Sequence, residues 1–562
     1  MTEAIRRAFL LLPKEMSEYM IVNSISPHTP KVAHLSSSTK GPETSAYYFL
    51  AKCFDTVSSE ESVKILKEIK KLQCTDKENR HYGCLRWYRE ESEIFDTNGA
   101  FFVLLPIALS YVFFSEKMSS EERQIIEEML SVSAEWFRSE CRGPLYYTNK
   151  IVSDGAILTL ISEITGKYRG ECLDFWNSWV EYAETYGFGW GENLSDTYAV
   201  IILRALIIAS AFIEDAELSE RIKAKTTELL DYLSFHEGCE LVPTVRTYNF
   251  SGDISYGGEF YKTVFNPECL DSFAALVTSY VINRLADTVA LRKNTDKEEV
   301  RIQRVFGDSY AYTYKSPRVR LGSLSRFPVM PGCYQREGWG LGWQSMPVSA
   351  MIRDRYISFL RLRTETREST HSHPAKDKHS AYLYNRLFED GEIPLYNTAT
   401  AQEGNIVIAV RTVSHIANTA RLFVDEWCTP GECEVECLKL DGRTWYIIDG
   451  SVALCPLCGI YSKSKKREEP TTQIIKARGF TTVSTVISRS EEDVLIRADY
   501  TECAWVIAVS ENGRTDIEKI EIIDTEIADK KVPRNEKTMP RKITVRNGEK
   551  ELSLTYDPYD FV

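Results

Sequence analysis

Near residue 300 the apolar residues change their spacing, and that switch constrains the fold more than any other feature. From about residue 41 to 290 they recur every three or four positions. The segments lie near 43–54, 60–71, 98–114, 119–138, 152–165, 171–186, 195–213, 217–234 and 268–288. Ser119-Ser-Glu-Glu122 reads as a helix start, and so does Ser219 among acidic neighbours. Antiparallel helices on short loops predict a helical toroid or bundle.

Beyond residue 300 the chain breaks into short runs rich in Val, Ile, Thr and Tyr, read with period two and closed by turn residues. Examples are Asn405-Ile-Val-Ile-Ala-Val-Arg411, Thr444-Trp-Tyr-Ile-Ile448 before Asp449-Gly450, Thr481-Thr-Val-Ser-Thr-Val-Ile487, Ala504-Trp-Val-Ile-Ala-Val509, and Lys542-Ile-Thr-Val545 before Asn547-Gly548. They predict stacked antiparallel sheets. At 562 residues the chain exceeds what one hydrophobic core serves. The expectation is an α+β multidomain protein, helical over 1–295 and antiparallel β over 296–562, with one cleft shared by the halves. Leu291 to Glu299, rich in charge, reads as the connection.

A formal net charge of −13 opposes general binding to nucleic acid or anionic membrane, because both require a basic surface. The apolar run Tyr198 to Phe212 is interrupted by Arg204, so no membrane span is expected. The opening residues, with Glu3 and Pro13 flanking a short apolar run, do not resemble a secretion signal, and a cytoplasmic location is expected. The 14 cysteines show no disulfide framework. Cys428, Cys433, Cys437, Cys455 and Cys458 are dense enough to hold zinc, but their β-type surroundings favour packing in strand cores.

Three patches carry chemistry. Tyr146-Tyr-Thr-Asn149 leads into an apolar helix, where Asn149 serves either as the helix cap or as an amide donor to a substrate carboxylate. Tyr186-Gly-Phe-Gly-Trp-Gly-Glu-Asn-Leu-Ser-Asp-Thr-Tyr198 is rich in glycine and aromatics. It either connects two helices, with Ser195 as cap and Tyr198 half-buried in the first turn, or passes close to a ligand with Trp190 stacked on a sugar ring. Thr370-His-Ser-His-Pro-Ala-Lys-Asp-Lys-His379 holds three of the eight histidines. Imidazoles titrate near neutrality, where proton transfer is efficient, and His371 and His373 share a face if extended.

In kind and order these patches resemble the heparinase II/III-like polysaccharide lyases. That resemblance implies an N-terminal (α/α) toroid followed by a C-terminal antiparallel β-sandwich. The family's Asn at the start of an inner helix, often followed by His, is similar to Asn149, although Lys150 follows here. Its Gly-Glu segment leading to a Tyr resembles Gly191-Glu192 through Tyr198. The family's His-x-His, with a later Gly and a metal-binding Asp, resembles His371-Ser-His373 and Gly391, with Asn397 at the Asp position. A structural zinc would then fall to His373, Asp390 and His415; the reaction itself requires no cofactor.

The activity so implied is β-elimination beside a uronic acid carboxylate in an acidic oligosaccharide or polysaccharide. Removing the C5 proton requires neutralised carboxylate charge, supplied by Asn149 with Arg246. Tyr198 and His371 divide the base and acid roles. Trp190, Glu192, Tyr256, Trp339 and Trp343 would bind the sugar. The rivals are a glycoside hydrolase using Glu192 with Asp196 or Glu259, a carbohydrate-binding protein whose site has decayed, and a C5 epimerase sharing the first step. The sequence leaves oligomeric state open, a homo-oligomer included.

Overall fold

The computed structural model describes residues 3, 7, 10, 11, 15–24, 38–55, 59–195, 198–236, 241–245, 273–285, 297–327, 329, 345–352, 356–366, 396–413, 420–461, 471–477, 479–489, 501–525 and 541–557. Two compact units emerge. The first comprises Met1–Gly189, Tyr198–Glu237 and Tyr256–Lys293; the second comprises Trp190–Thr197, Gly238–Ser255 and Asn294–Val562.

The first unit opens with a small antiparallel sheet, β1 (Met16–Ser17), β2 (Met20–Ser24) and β3 (Ser38–Lys40). Helices follow: α1 (Pro42–Asp55), α2 (Glu60–Lys70), α3 (Gly99–Phe114), α4 (Ser120–Glu140), α5 (Thr148–Thr165), α6 (Arg169–Tyr186), α7 (Tyr198–Phe212), α8 (Ala216–Phe235) and α9 (Phe273–Leu285). Two kinds of helix alternate. α3 and α7 are apolar nearly all round, and such helices must be enclosed by protein. α2, α4 and α8 pair an apolar stripe with a charged face and suit an outer position.

The contacts follow that chemistry. α1 packs on α3, α3 on α5 and α5 on α7, while α9 touches both α7 and α1. α2 lies against α1 and α4, α4 and α6 against α5, and α8 against α7 and α6. The stretch Gly99–Lys117 is long and apolar enough to cross a membrane, with a mean hydropathy of 1.7, so the sequence holds a longer apolar run than Tyr198–Phe212. It is 67% buried against the helices around it, as expected of a core helix.

The helix ends show where local signals act. Ser119 forms a reciprocal capping box with Glu122 and starts α4 as expected. Ser219 does not start α8. Asp215 caps that helix by accepting from the Leu218 N–H at 2.9 Å, and Ser219 instead donates to the Ser210 carbonyl.

The second unit is built from antiparallel sheets. Its early strands are β4 (Glu299–Phe306), β5 (Ser309–Lys315), β6 (Val319–Leu324), β7 (Arg326–Phe327), β8 (Val348–Ile352) and β9 (Tyr356–Thr366). Next come β10 (Tyr396–Glu403), β11 (Ile406–Val413), β12 (Ala420–Pro430), β13 (Val435–Leu440), β14 (Arg443–Ile448), β15 (Val452–Tyr461), β16 (Thr471–Ala477), β17 (Phe480–Arg489) and β18 (Thr501–Val509). A short helix α10 (Arg514–Ile517) then precedes β19 (Ile520–Thr525), β20 (Arg541–Asn547) and β21 (Lys550–Tyr556).

One sheet runs β16-β17-β12-β9-β8-β6-β5-β4, a second β13-β14-β15-β18-β11-β10-β7, and a third β19-β20-β21. Leu321, Ala350, Leu360, Trp427 and Val483 from the first meet Val407, Ala409, Leu454, Trp505 and Ile507 from the second. On the other face of the second sheet, Ile406, Ile408, Val410, Val506 and Ala508 pack against Ile543, Val545 and Leu554 of the third.

The middle sheet is therefore covered on both sides. That explains why Ile406–Val410 and Ala504–Val509 are apolar at every position, where a half-exposed strand would alternate. The second cover is a layer that period-two reading does not anticipate. The Asp449-Gly450 turn has positive φ at both residues, 45° and 61°, as a tight hairpin between β14 and β15 requires.

Candidate active site

Asn149 is the second residue of α5, not its cap; the cap position is Tyr147, whose side chain makes no capping bond. The turn before it is pinned from the glycine-rich loop. Thr148, fully buried, donates its hydroxyl to the Phe188 carbonyl at 2.7 Å. Gly189 sits at φ +71° with its α-carbon so close to the Tyr146 carbonyl that an added Cβ would lie 2.2 Å from that oxygen. Only glycine fits. The first two patches read from the sequence therefore meet directly, at the start of α5.

Four helix starts lie at one end of this unit. The Arg89 N–H, before α3, bonds the Lys40 carbonyl, just before α1. The Lys150 charge on α5 reaches Asp96, three residues before α3, and the Arg204 charge on α7 reaches Glu43 in the first turn of α1. α5 and α7 pack on each other, and Asn149 and Tyr198 lie in the first turns of these two helices. Tyr198 is half-buried. First-turn N–H groups lack intrahelical partners and lie at the positive end of the helix dipole, so this end favours an anion.

The ionisable groups here are strongly perturbed. Burial raises the Glu43 carboxyl to about 7, against the opposing pull of Arg204. Burial also lifts Asp154 to about 6, although Lys150 at 2.6 Å works the other way. Lys150 bridges Asp154 and Glu140, the latter at 2.5 Å. Burial favours its neutral form, but those two carboxylates more than offset this and hold its pKa above the usual lysine range.

Glu43, Asp96 and Arg204 were not among the residues expected at the site. Arg204 had a signal, a lone guanidinium inside the apolar run Tyr198–Phe212. Its burial leaves 8% of its surface exposed.

The rest of the glycine loop belongs to the β unit. Trp190–Thr197 groups with it, and a short 3-10 turn, Glu192–Leu194, is tied down by Leu241–Val245. The Leu194 carbonyl accepts from the Thr244 hydroxyl at 2.8 Å and from the Val245 N–H at 3.3 Å. Gly191, at φ +93°, packs against Val245 and Val305.

Trp190 and Glu192 are both fully buried. Trp190 has no face open to stack on a sugar ring, which corrects the expectation of an exposed platform there. The loop closes over it because glycines at 187, 189 and 191 take positive φ and turn the chain inward. Glu192, equally enclosed, is not open to a substrate in this arrangement.

Arg246, Tyr256, Trp339, Trp343, His371, His373, Asp390 and His415 lie outside the described residues, as do Asp196 and Glu259. Among the described residues, no group of three or more His, Cys, Asp and Glu side chains could hold a metal. Among the described residues, the cysteine group does not fit zinc. Cys433 packs between the first and second sheets, Cys455 between the second and third, and Cys437 is exposed. These thiols therefore lie in different layers. Burial raises Cys455 to about 12, the behaviour of a packing thiol.

No protein-family model and no curated protein sequence matches the chain. Solved structures do. The chain is similar to heparinase III, with a TM-score of 0.47 and 11% identity over 99% of this chain and 91% of that one. It is similar to heparan sulfate lyase HepC from Pedobacter heparinus, with a TM-score of 0.35 and 10% identity over 99% of each chain. A Paenibacillus xanthan lyase gives 0.46 and 8%, over 97% of this chain and 59% of that one.

Proposed function

We propose that the protein is a glycan lyase, cleaving a uronic-acid-containing oligosaccharide or polysaccharide by β-elimination on an (α/α) toroid. The observation that carries this reading is the placement of Asn149 and Tyr198 in the first turns of neighbouring helices, at the end where four helix starts gather. The circuit α1-α3-α5-α7-α9, in which α9 touches both α7 and α1, supports the toroid.

The chemistry follows from the residue types. Asn149 donates its amide N–H to the substrate carboxylate, and the helix N-termini add positive potential, so charge developing on that carboxylate is stabilised as the C5 proton leaves. Tyr198 is assigned the phenol that protonates the departing glycosidic oxygen. His371 is assigned the complementary proton transfer and Arg246 a second contact to the carboxylate. No metal is needed for these steps.

The test is incubation with heparan sulfate, xanthan and other uronic acid glycans, following absorbance of the C4–C5 double bond. Unsaturated product that is lost in Tyr198→Phe and Asn149→Ala is expected. New reducing ends without unsaturation would make the protein a hydrolase, and binding without cleavage a carbohydrate-binding protein.

A further inference from the structure

Lys150 is adjacent to Asn149 but is engaged elsewhere. Its ammonium bonds Glu140, the last residue of α4, at 2.5 Å and Asp154, one turn further along α5, at 2.6 Å. The lysine and aspartate side chains keep 17% and 5% of their surface exposed. A cation in the first turn of a helix opposes the helix dipole, so its presence there calls for a compensating role.

The rest of the first turn shows what that role is. α5 has no side-chain cap and no acidic residue in its first turn. The Thr148 hydroxyl is spent on Phe188, and the Ser153 hydroxyl bonds the Asn149 carbonyl at 2.6 Å. An uncapped helix start frays unless tertiary contacts hold it.

We propose that Lys150 is a positioning residue for the lyase reaction: its bridge from Glu140 to Asp154 fixes the first turn of α5 against α4 and so aims Asn149. This rests on the reading of Asn149 given above. Residues 149 and 150 are about 100° apart around the helix, so anchoring one against α4 sets the direction of the other. The groups facing the ammonium are Glu140, Asp154 and, at longer range, Asp96, with the Cys84 and Cys141 thiols nearby.

Lys150→Met keeps the length of the stem and removes the bridge. It should lower kcat for unsaturated product from heparan sulfate or xanthan at least tenfold and leave KM within about twofold, with Lys150→Arg recovering most of the loss. Hydrogen exchange of amides 149–153 should speed at least tenfold in Lys150→Met, while amides of α7 are unchanged. Because Lys150→Met strands two carboxylates, Lys150→Met/Asp154→Asn serves as the folded control and should show the same exchange pattern. Unchanged exchange at 149–153, or an unchanged kcat, overturns the proposal. If wild-type protein cleaves no glycan, the lyase reading falls, and exchange alone then decides whether Lys150 holds the turn.

Discussion

The Thr148 hydroxyl donates to the Phe188 carbonyl at 2.7 Å across 40 residues of sequence, joining the start of α5 to the glycine-rich loop after α6. That single bond makes one structural piece of two segments the sequence presents separately. Thr148→Val keeps the shape and leaves the buried carbonyl without its donor, a loss of about 1–3 kcal/mol. Thermal denaturation should show a lower Tm, with Thr148→Ser falling between the two.

Gly189 and Gly166 separate steric from conformational cost. Both have positive φ, but a Cβ at Gly189 would meet the Tyr146 carbonyl at 2.2 Å, whereas nothing lies within 4 Å of one at Gly166. Gly166→Ala should cost about 1 kcal/mol, the penalty for a left-handed residue alone. Gly189→Ala should cost at least twice as much, measured by denaturant midpoints, and should also reduce any glycan cleavage.

Glu43 gives a pH signature. Its folded-state pKa, about 7, lies above the 4.5 of an unperturbed glutamate. The folded state therefore holds this proton more tightly than the unfolded chain does. The resulting stability is fully present below pH 4.5 and is lost as pH rises through 7. Glu43→Gln should match wild type near pH 4 and exceed it by about 3 kcal/mol at pH 8, read from urea titrations at both pH values. A constant difference across that range would show that Glu43 does not titrate there.

Inside the β unit, Arg411 of β11 and Asp425 of β12 form an ion pair between the first two sheets, with 0% and 1% of their side chains exposed. Asp425 also accepts from the Trp505 indole at 2.7 Å. Arg411→Met leaves a buried carboxylate uncompensated and should destabilise by about 3–5 kcal/mol. Arg411→Met/Asp425→Leu should recover a large part of this. A double mutant no more stable than Arg411→Met would show that the pair does not act as a unit.

Several of these relationships were only half legible in the sequence. The Ser119 capping box and the Asp449-Gly450 hairpin are written within four residues and form as expected. Asn149 and Tyr198 stand out by type and spacing, and the packing of α5 on α7 brings their helices together. Trp190 shows the limit: the composition of its loop suits a sugar platform, but three positive-φ glycines fold it into full burial.

Local order is what the sequence determined alone: which segments are helices, which are strands, and which turns close them. Periodicity, capping and turn chemistry act over a few residues, so they can be read along the chain. The tertiary structure decided what depends on distant partners. The third sheet covers β11 and β18, Lys150 turns to Glu140 and away from the direction of Asn149, and Trp190–Thr197 joins the β unit. Each is settled by which surfaces exclude water together and which charges must be paired once buried, and no single segment carries that information.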